Sequence, residues 1–575
     1  MYSNNKSVQH LVALLKAHGV KEVVLSPGAR NMPIIQSLAS DQYFTCHTAI
    51  DERSAGYYAI GLSLRNAHVE RRSALVAICC TSGTAALNYA PAIAEAFFQH
   101  IPLIVLTADR PERWVGQQEN QVLPQRNLFG LLVKLSVCLP EVYTKEDEWH
   151  CNRLVNEAIL EAMHRLTGPV HINIPLSEPL FDMEEEDTLP NVRVIRRLSL
   201  ERHSEEWEKE YEALAQTFGK YKSHMLILGQ GDYGSSPLSV ESSALETLHA
   251  SGCIILAEHL ANNLTSSCII RNFDAVLNSI SEKRWETYTP ELLITTGGHI
   301  VSKQLKKFLR QNAPKAHWSL SPSGEIIDTY QCLTNVVETH PGEFIDKIIH
   351  SDILPSFTLQ SQWNKAVKLP APAPAYSDFM AIGELMKSIP DRAIVFLGNS
   401  MSIRLAHLYP IDESRGIRFY ANRGLSGIDG NLSTATGLAA AGDTTFILVG
   451  DMAFYYDMNA IISSAFNRQS LRIFLNNNEG CEIFHTLPGF RPTRETEQYI
   501  TMKRKSSARE WALERGFIYL PVTNEAELKE SLSIFVDKDA SASVLLEVFS
   551  NMEQNVEELD KYYQSLRKHS EASAK

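Results

Sequence analysis

No apolar run in this chain approaches the 18–20 residues that a membrane-crossing helix needs, so no membrane span is expected. Positive charge is not in excess either: 54 Lys and Arg face 67 Asp and Glu, a formal net charge of −13. That balance argues against a nucleic-acid or anionic-membrane binder, both of which want a basic surface. Any anionic ligand must therefore be met by a local cluster of cations. The nine cysteines include no CxxC pair, and the only neighbours, Cys79 and Cys80, sit in an apolar stretch. A zinc site or a disulfide framework is thereby disfavoured, and buried thiols in a reducing compartment are expected. The 29 Gly and 25 Pro are ordinary for this length and give no sign of large-scale disorder. "MYSNNKSVQHLVALLKAHGV" lacks the charged-then-apolar layout of a secretory leader and reads as an amphipathic helix. A cytoplasmic protein is expected.

At 575 residues the chain is too long for one core. Two stretches interrupt the alternation of apolar strands and helical patterns: the charged "DMEEEDTLPNVRVIRR" (182–197) and the proline-spaced "LPAPAPAYSD" (369–378). They suggest domains at 1–183, 195–368 and 376–575. Strands are expected at 22–26, 44–50, 74–80, 103–108 and 170–174 in the first, and at 393–397, 418–421, 445–449, 471–475 and 544–548 in the last. Continuous Val/Ile/Leu runs separated by helices mean parallel strands covered on both faces. The fold class is α/β, with three doubly wound parallel-sheet domains.

In such sheets, ligands gather where strands end at their carboxyl termini and helices begin. What stands there is therefore informative. Arg30 follows the first strand in "SPGAR", and Arg110 follows the fourth in "DRPE". Arg404 and Arg423 follow strands of the last third in "GNSMSIR" and "NRGLSGIDG". Four arginines at strand ends of an acidic protein point to ligands with several carboxylates or phosphates, groups that the planar guanidinium suits. "TSGTAALN" after the third strand offers hydroxyls and a glycine turn.

Two further strand ends carry chemistry. "GD" at Asp451 closes one strand and "NNNEG" (476–480) the next, with 25 residues between Asp451 and Asn477. An Asp carboxylate, an Asn carbonyl and a backbone carbonyl are hard oxygen ligands that leave octahedral positions for phosphate oxygens, as Mg²⁺ prefers. In the first third, "DER" (51–53) puts Glu52 between a strand and a helix of small and apolar residues, with Asp51 as its cap.

This layout resembles the thiamine-diphosphate enzymes, whose three α/β domains are pyrimidine-binding, central Rossmann-like and diphosphate-binding in that order. The resemblance implies thiamine diphosphate and Mg²⁺ (or Mn²⁺) as cofactors, with Asp451, Asn478 and Gly480 as metal ligands. Thr81, Ser426 and Ile428 would join Glu52 in holding the cofactor, and Ile428 would keep it bent. The thiazolium carbon must lose a very weakly acidic proton. A carboxyl at the pyrimidine nitrogen, here Glu52, would favour the tautomer whose own nitrogen removes it.

The ordered blocks "SPGAR", "DER", "TSGTAALN", "TADRPE", "GNSMSIR", "NRGLSGIDG" and "NNNEG…IF" resemble the branch of that family acting in menaquinone biosynthesis. Its members decarboxylate 2-oxoglutarate and add the succinyl unit to isochorismate in a conjugate (Stetter-like) addition. By that resemblance Ser400, Arg404 and Arg423 would meet substrate carboxylates, and Arg30, Arg110, Gln121 and Lys303 would line the isochorismate side. A homodimer, or a dimer of dimers, with sites at the subunit interface is implied too. Three positions depart from the pattern: Ala29 stands for the usual Ser, Gln304 for Arg, and Met452 for the second Gly of GDG. Lys306 or Lys307 is the nearest substitute for the missing cation.

"GQGDYG" (229–234) fits a dinucleotide fingerprint, with Glu258 after a later strand, although the central domain of such enzymes often binds nothing. Two rival readings differ in function: another carboligase or 2-oxo acid decarboxylase, and a catalytically silent homologue that keeps the cofactor fold.

Overall fold

The computed structural model describes residues 2–71, 73–180, 185–197, 205–349, 358–462 and 470–573. Residue 183, where the first domain is expected to end, and Glu184 of the acidic run lie outside them. Three six-stranded sheets dominate. The first runs in spatial order Thr45–Thr48, Glu22–Leu25, Val76–Cys80, Leu103–Asp109, Val170–Pro175, Ser136–Cys138, and every pairing is parallel. The last runs Arg418–Tyr420, Ile394–Leu397, Thr445–Gly450, Leu471–Asn477, Val544–Phe549, Ile518–Val522. Counted along the chain, both have the order 2-1-3-4-6-5. The middle sheet, built from strands between His224 and Val337, is parallel with the order 3-2-1-4-5-6, that of a Rossmann fold.

Strands absent from the sequence reading, Ser136–Cys138 and Ile518–Val522, are both sheet edges. An edge strand needs only one neighbour and is partly exposed, so its apolar signal is short. Pro521 interrupts the second one, as edges tolerate. The tail after Asn551 forms one long helix, Met552–Ser573.

The described chain forms two compact units, one of Met1–Ser199, Asn422–Thr445 and Ala453–Ser470, the other of Leu200–Ala421, Phe446–Met452 and Leu471–Lys575. In the first, successive strand residues feed opposite cores. Val23, Leu25, Ala77, Cys79, Ile104 and Leu106 pack on one face, and Val24, Val76, Ile78, Cys80, Leu103 and Val105 on the other. This two-sided burial is why the strands read as unbroken apolar runs. All nine cysteines are free thiols, with Cys79 and Cys80 buried.

Helix Glu52–His68 crosses helix Asn431–Leu438 within the first unit, and two glycines permit the contact. A Cβ on Gly61 would lie 2.0 Å from the Thr434 carbonyl oxygen, and one on Gly437 would lie 2.1 Å from that of Tyr58. Backbone therefore meets backbone. Gly61→Val is expected to cost at least the roughly 1–3 kcal/mol typical of overpacking, read as a lower urea midpoint. An unchanged midpoint would show that the crossing is not tight.

In the second unit the Asn262 amide ties the short strand Ala261–Asn262, which pairs with Gly231–Asp232, to the last sheet, donating to the Phe419 carbonyl at 2.9 Å and accepting from its N–H at 2.7 Å. Among the described residues no helix is long and apolar enough to cross a membrane.

Candidate active site

In the first unit, the first sheet reverses its strand order between Glu22–Leu25 and Val76–Cys80, the switch point at which such sheets open a crevice. Arg30 and Thr81 both stand there, and the Arg30 N–H donates to Thr81 Oγ1 at 3.3 Å. The Arg30 guanidinium is buried; it donates to the Leu176 carbonyl and to Glu178 Oε1, each at 3.0 Å. Arg110 reaches the same Glu178 oxygen at 3.4 Å. Two sequence-picked arginines thus converge on one carboxylate. Gln121 holds a left-handed backbone (φ 55°) against the Gly83 turn. Arg30, Thr81, Arg110 and Gln121 therefore share one end of the sheet. Ala29 is exposed on the same loop.

Asp51 and Glu52 take separate tasks. Asp51 is the N-cap of helix Glu52–His68, its Oδ1 accepting from the N–H groups of Arg53 at 2.9 Å and Ser54 at 3.3 Å. Glu52 opens the helix half-buried, with Asn88 Nδ2 3.5 Å from its Oε2. Beside them a cavity of about 190 Å³ is lined by Ala49, Ile50, Tyr58 and Asn459, among others.

Arg423, Ser426 and Ile428 lie on the loop that precedes helix Asn431–Leu438, and Arg423 is buried. Ser426 has φ 63°. The loop is held from the first third of the chain. Buried Glu95 accepts from the Gly424 and Leu425 N–H groups at 2.7 Å each, and Tyr57 Oη donates to Asp429 at 2.8 Å. Burial raises the Glu95 carboxyl, and the donated hydrogen bonds oppose that shift.

In the second unit, the switch point of the last sheet lies between Ile394–Leu397 and Thr445–Gly450, and Asp451 closes the latter strand. Its Oδ1 accepts from the Met452 N–H at 2.7 Å, and the Gly480 N–H also donates to the carboxyl. Burial pushes this carboxyl up to about 7. One strand further, Asn478 is buried; its Nδ2 donates to Glu482 Oε2 at 2.6 Å, while its buried Oδ1 has no hydrogen-bond partner among the described residues. An orphaned buried oxygen next to a carboxylate-bearing strand end fits a hard divalent cation. Gly480 is needed for contact: a Cβ there would meet the Thr501 carbonyl oxygen at 2.5 Å.

Ser400, with φ 72°, caps helix Met401–Ala406, and its carbonyl accepts from the Arg404 guanidinium. Arg404 is partly buried near the Asp274 and Glu258 carboxylates, and burial lowers its pKa against their pull. Lys303 opens helix Lys303–Gln311, exposed. Lys307 is engaged elsewhere: its ammonium pairs with Glu282 and lies 5.6 Å from the Trp285 ring centre.

The "GQGDYG" loop lacks the structural context of its motif. No helix opens on it; Gly231–Asp232 instead pairs with Ala261–Asn262. A Cβ on Gly229 would meet the Gly298 carbonyl oxygen at 2.1 Å, and Glu258 accepts from the Val301 and Ser302 N–H groups at 2.7 Å each. Gly229 and the acid serve the neighbouring 297–302 turn, whereas Gly231 packs on Leu238.

Sequence reasoning missed Glu178, Glu95 and Glu482. Only Glu482 left a local signal, four residues beyond Asn478.

Residues 5–128 match the family model described as thiamine pyrophosphate enzyme, N-terminal TPP binding domain. The chain is similar to the 2-succinyl-5-enolpyruvyl-6-hydroxy-3-cyclohexene-1-carboxylate synthase of Bacteroides thetaiotaomicron, 46% identical over 99% of this chain and 100% of the relative. Proteins of the same name from Phocaeicola vulgatus and Flavobacterium psychrophilum are 45% and 31% identical, over 99% and 98% of this chain and the whole of each relative.

Proposed function

The chain belongs to the family of 2-succinyl-5-enolpyruvyl-6-hydroxy-3-cyclohexene-1-carboxylate synthases, and from that premise we propose that it makes the product of that name from 2-oxoglutarate and isochorismate, in menaquinone biosynthesis. The overall step balances: 2-oxoglutarate loses carbon dioxide, and its remaining four carbons add to isochorismate without a leaving group. Thiamine diphosphate, when bound, supplies the electron sink for that decarboxylation.

This chain's residues supply the rest. Glu52 holds a proton at the pyrimidine nitrogen of the cofactor, while Thr81, Ser426 and Ile428 shape its bed. Asp451, the Asn478 Oδ1 and the Gly480 carbonyl hold Mg²⁺ or Mn²⁺ against the diphosphate. Arg30, Arg110, Gln121 and Lys303 bind isochorismate, and Ser400, Arg404 and Arg423 the carboxylates derived from 2-oxoglutarate. The observation that carries the substrate reading is the convergence of Arg30 and Arg110 on the Glu178 carboxylate. A pair of guanidiniums already holding one carboxylate is suited to receive another. Assembly as a dimer, or a dimer of dimers, with two copies completing each site, belongs to the same proposal.

Mass analysis of the product tests it. With both substrates, thiamine diphosphate and Mg²⁺, one compound containing every atom of isochorismate plus four carbons of 2-oxoglutarate is expected. Carbon dioxide release without coupling would favour a simple decarboxylase, and no turnover a silent homologue. Because Ala29 offers no hydroxyl, Ala29→Ser is expected to lower the KM for isochorismate, by up to the ~1–3 kcal/mol of a regained hydrogen bond. An unchanged KM would remove that position from the acceptor site.

A further inference from the structure

Glu482 is three per cent exposed, and nothing about a diphosphate site requires a carboxyl there. Its Oε2 accepts two amides at once, Asn478 Nδ2 at 2.6 Å and Asn555 Nδ2 at 2.7 Å. Asn555 lies on the C-terminal helix and is itself fixed: its Oδ1 accepts from the Asp378 N–H at 3.1 Å, and its Nδ2 also donates to Ser550 Oγ at 3.0 Å. The Asp378 carboxyl is hydrogen-bonded to Glu482 and accepts from Asn476 Nδ2 at 3.0 Å. Glu482 is thereby clamped between the strand Leu471–Asn477, the helix Asp378–Ser388 and the helix Met552–Ser573.

An amide has two faces, and only one presents oxygen. With an acceptor fixed 2.6 Å from Nδ2, the Asn478 amide can satisfy Glu482 only by turning its Oδ1 the other way, where it meets no donor among the described residues. Rotated by half a turn, it would press oxygen against oxygen and put an N–H₂ group where a cation ligand is wanted.

We propose that Glu482 is a positioning residue for the cation site, holding the Asn478 amide so that its oxygen faces the ion. The proposal rests on the reading of Asp451, Asn478 and Gly480 as the metal ligands. It differs from a purely structural role, in which Glu482 only ties the C-terminal helix to the sheet: orientation of Asn478 would change cation affinity, whereas a tie alone would not.

The test is the Mn²⁺ binding isotherm of the full-length protein with thiamine diphosphate present, read from the spin-resonance signal of free Mn²⁺. Glu482→Met keeps the volume but removes the acceptor, and should weaken Mn²⁺ by 10–100-fold, the range typical of lost outer-sphere partners. Glu482→Asp keeps the carboxyl but withdraws it by about one bond. It should lose about tenfold or more on the same basis, and it serves where the Met variant does not fold. Glu482→Gln still offers an oxygen to both amides and an N–H₂ to Asp378. It should stay within about threefold of the parent, well short of that range. Parent-like affinity in folded Glu482→Met or Glu482→Asp, or a Gln variant as weak as the Met variant, would overturn the positioning role alone. A parent protein that binds no Mn²⁺, or whose Mn²⁺ affinity survives Asp451→Ala, would overturn the metal-site reading with it.

Discussion

Glu52→Gln is expected to lower turnover of 2-oxoglutarate with isochorismate by about 10²–10⁴-fold, the range for loss of a positioned acid, with the folded protein unchanged. The amide keeps the shape of the side chain but has no acidic proton to share with a ring nitrogen. Asp51 cannot stand in. Its carboxylate is committed to the Arg53 and Ser54 N–H groups and also accepts from Asn459 Nδ2 at 3.2 Å. The control follows from that geometry: Asp51→Ala should cost about 1 kcal/mol of stability as a lost N-cap and leave turnover within a few-fold. Initial rates of isochorismate consumption measure both. A Glu52→Gln protein retaining a tenth of the parent rate or more would contradict the assignment.

Asp451→Ala is expected to abolish cation-dependent retention of thiamine diphosphate. The apparent affinity should fall by about 100-fold or more, at or beyond the upper end of what outer-sphere partners carry. The loss should be confined to binding. Burial pushes this carboxyl up to about 7, so its ionisation costs the cofactor-free fold stability; losing that cost offsets losing the Met452 and Gly480 N–H bonds, and the urea midpoint should stay close to the parent's. Quenching of intrinsic fluorescence on titrating thiamine diphosphate in excess Mg²⁺ gives the affinity. Retention equal to the parent's would show that the diphosphate is anchored elsewhere.

Both residues were legible for the same reason. Each is a carboxylate that follows the carboxyl end of a strand and opens the next helix, and in parallel sheets that is where ligands lie. The arginines at 30 and 110 were legible on the same ground. Their meeting point was not, because Glu178 stands 148 and 68 residues further along the chain. Distance in sequence also hid the support of Asn478. Glu482 is near it, but Asn555 lies 73 residues beyond Glu482, and Asp378 lies 98 residues before Asn476. The glycine motif at 229–234 misleads for the complementary reason: close backbone approach is needed there, but the partner is the 297–302 turn. Local pattern reports that a backbone must come close; only the fold says to what. Two edge strands escaped notice because partial exposure leaves them little apolar signal.

A crystal of the protein grown with thiamine diphosphate and Mn²⁺ tests the central claim most directly. The account predicts an anomalous Mn²⁺ peak bonded by Asp451, by the Asn478 side-chain oxygen and by the Gly480 carbonyl, with the Glu52 carboxyl against the pyrimidine ring. Manganese held by other residues, or a Glu52 side chain facing solvent while the cofactor is bound, would contradict it.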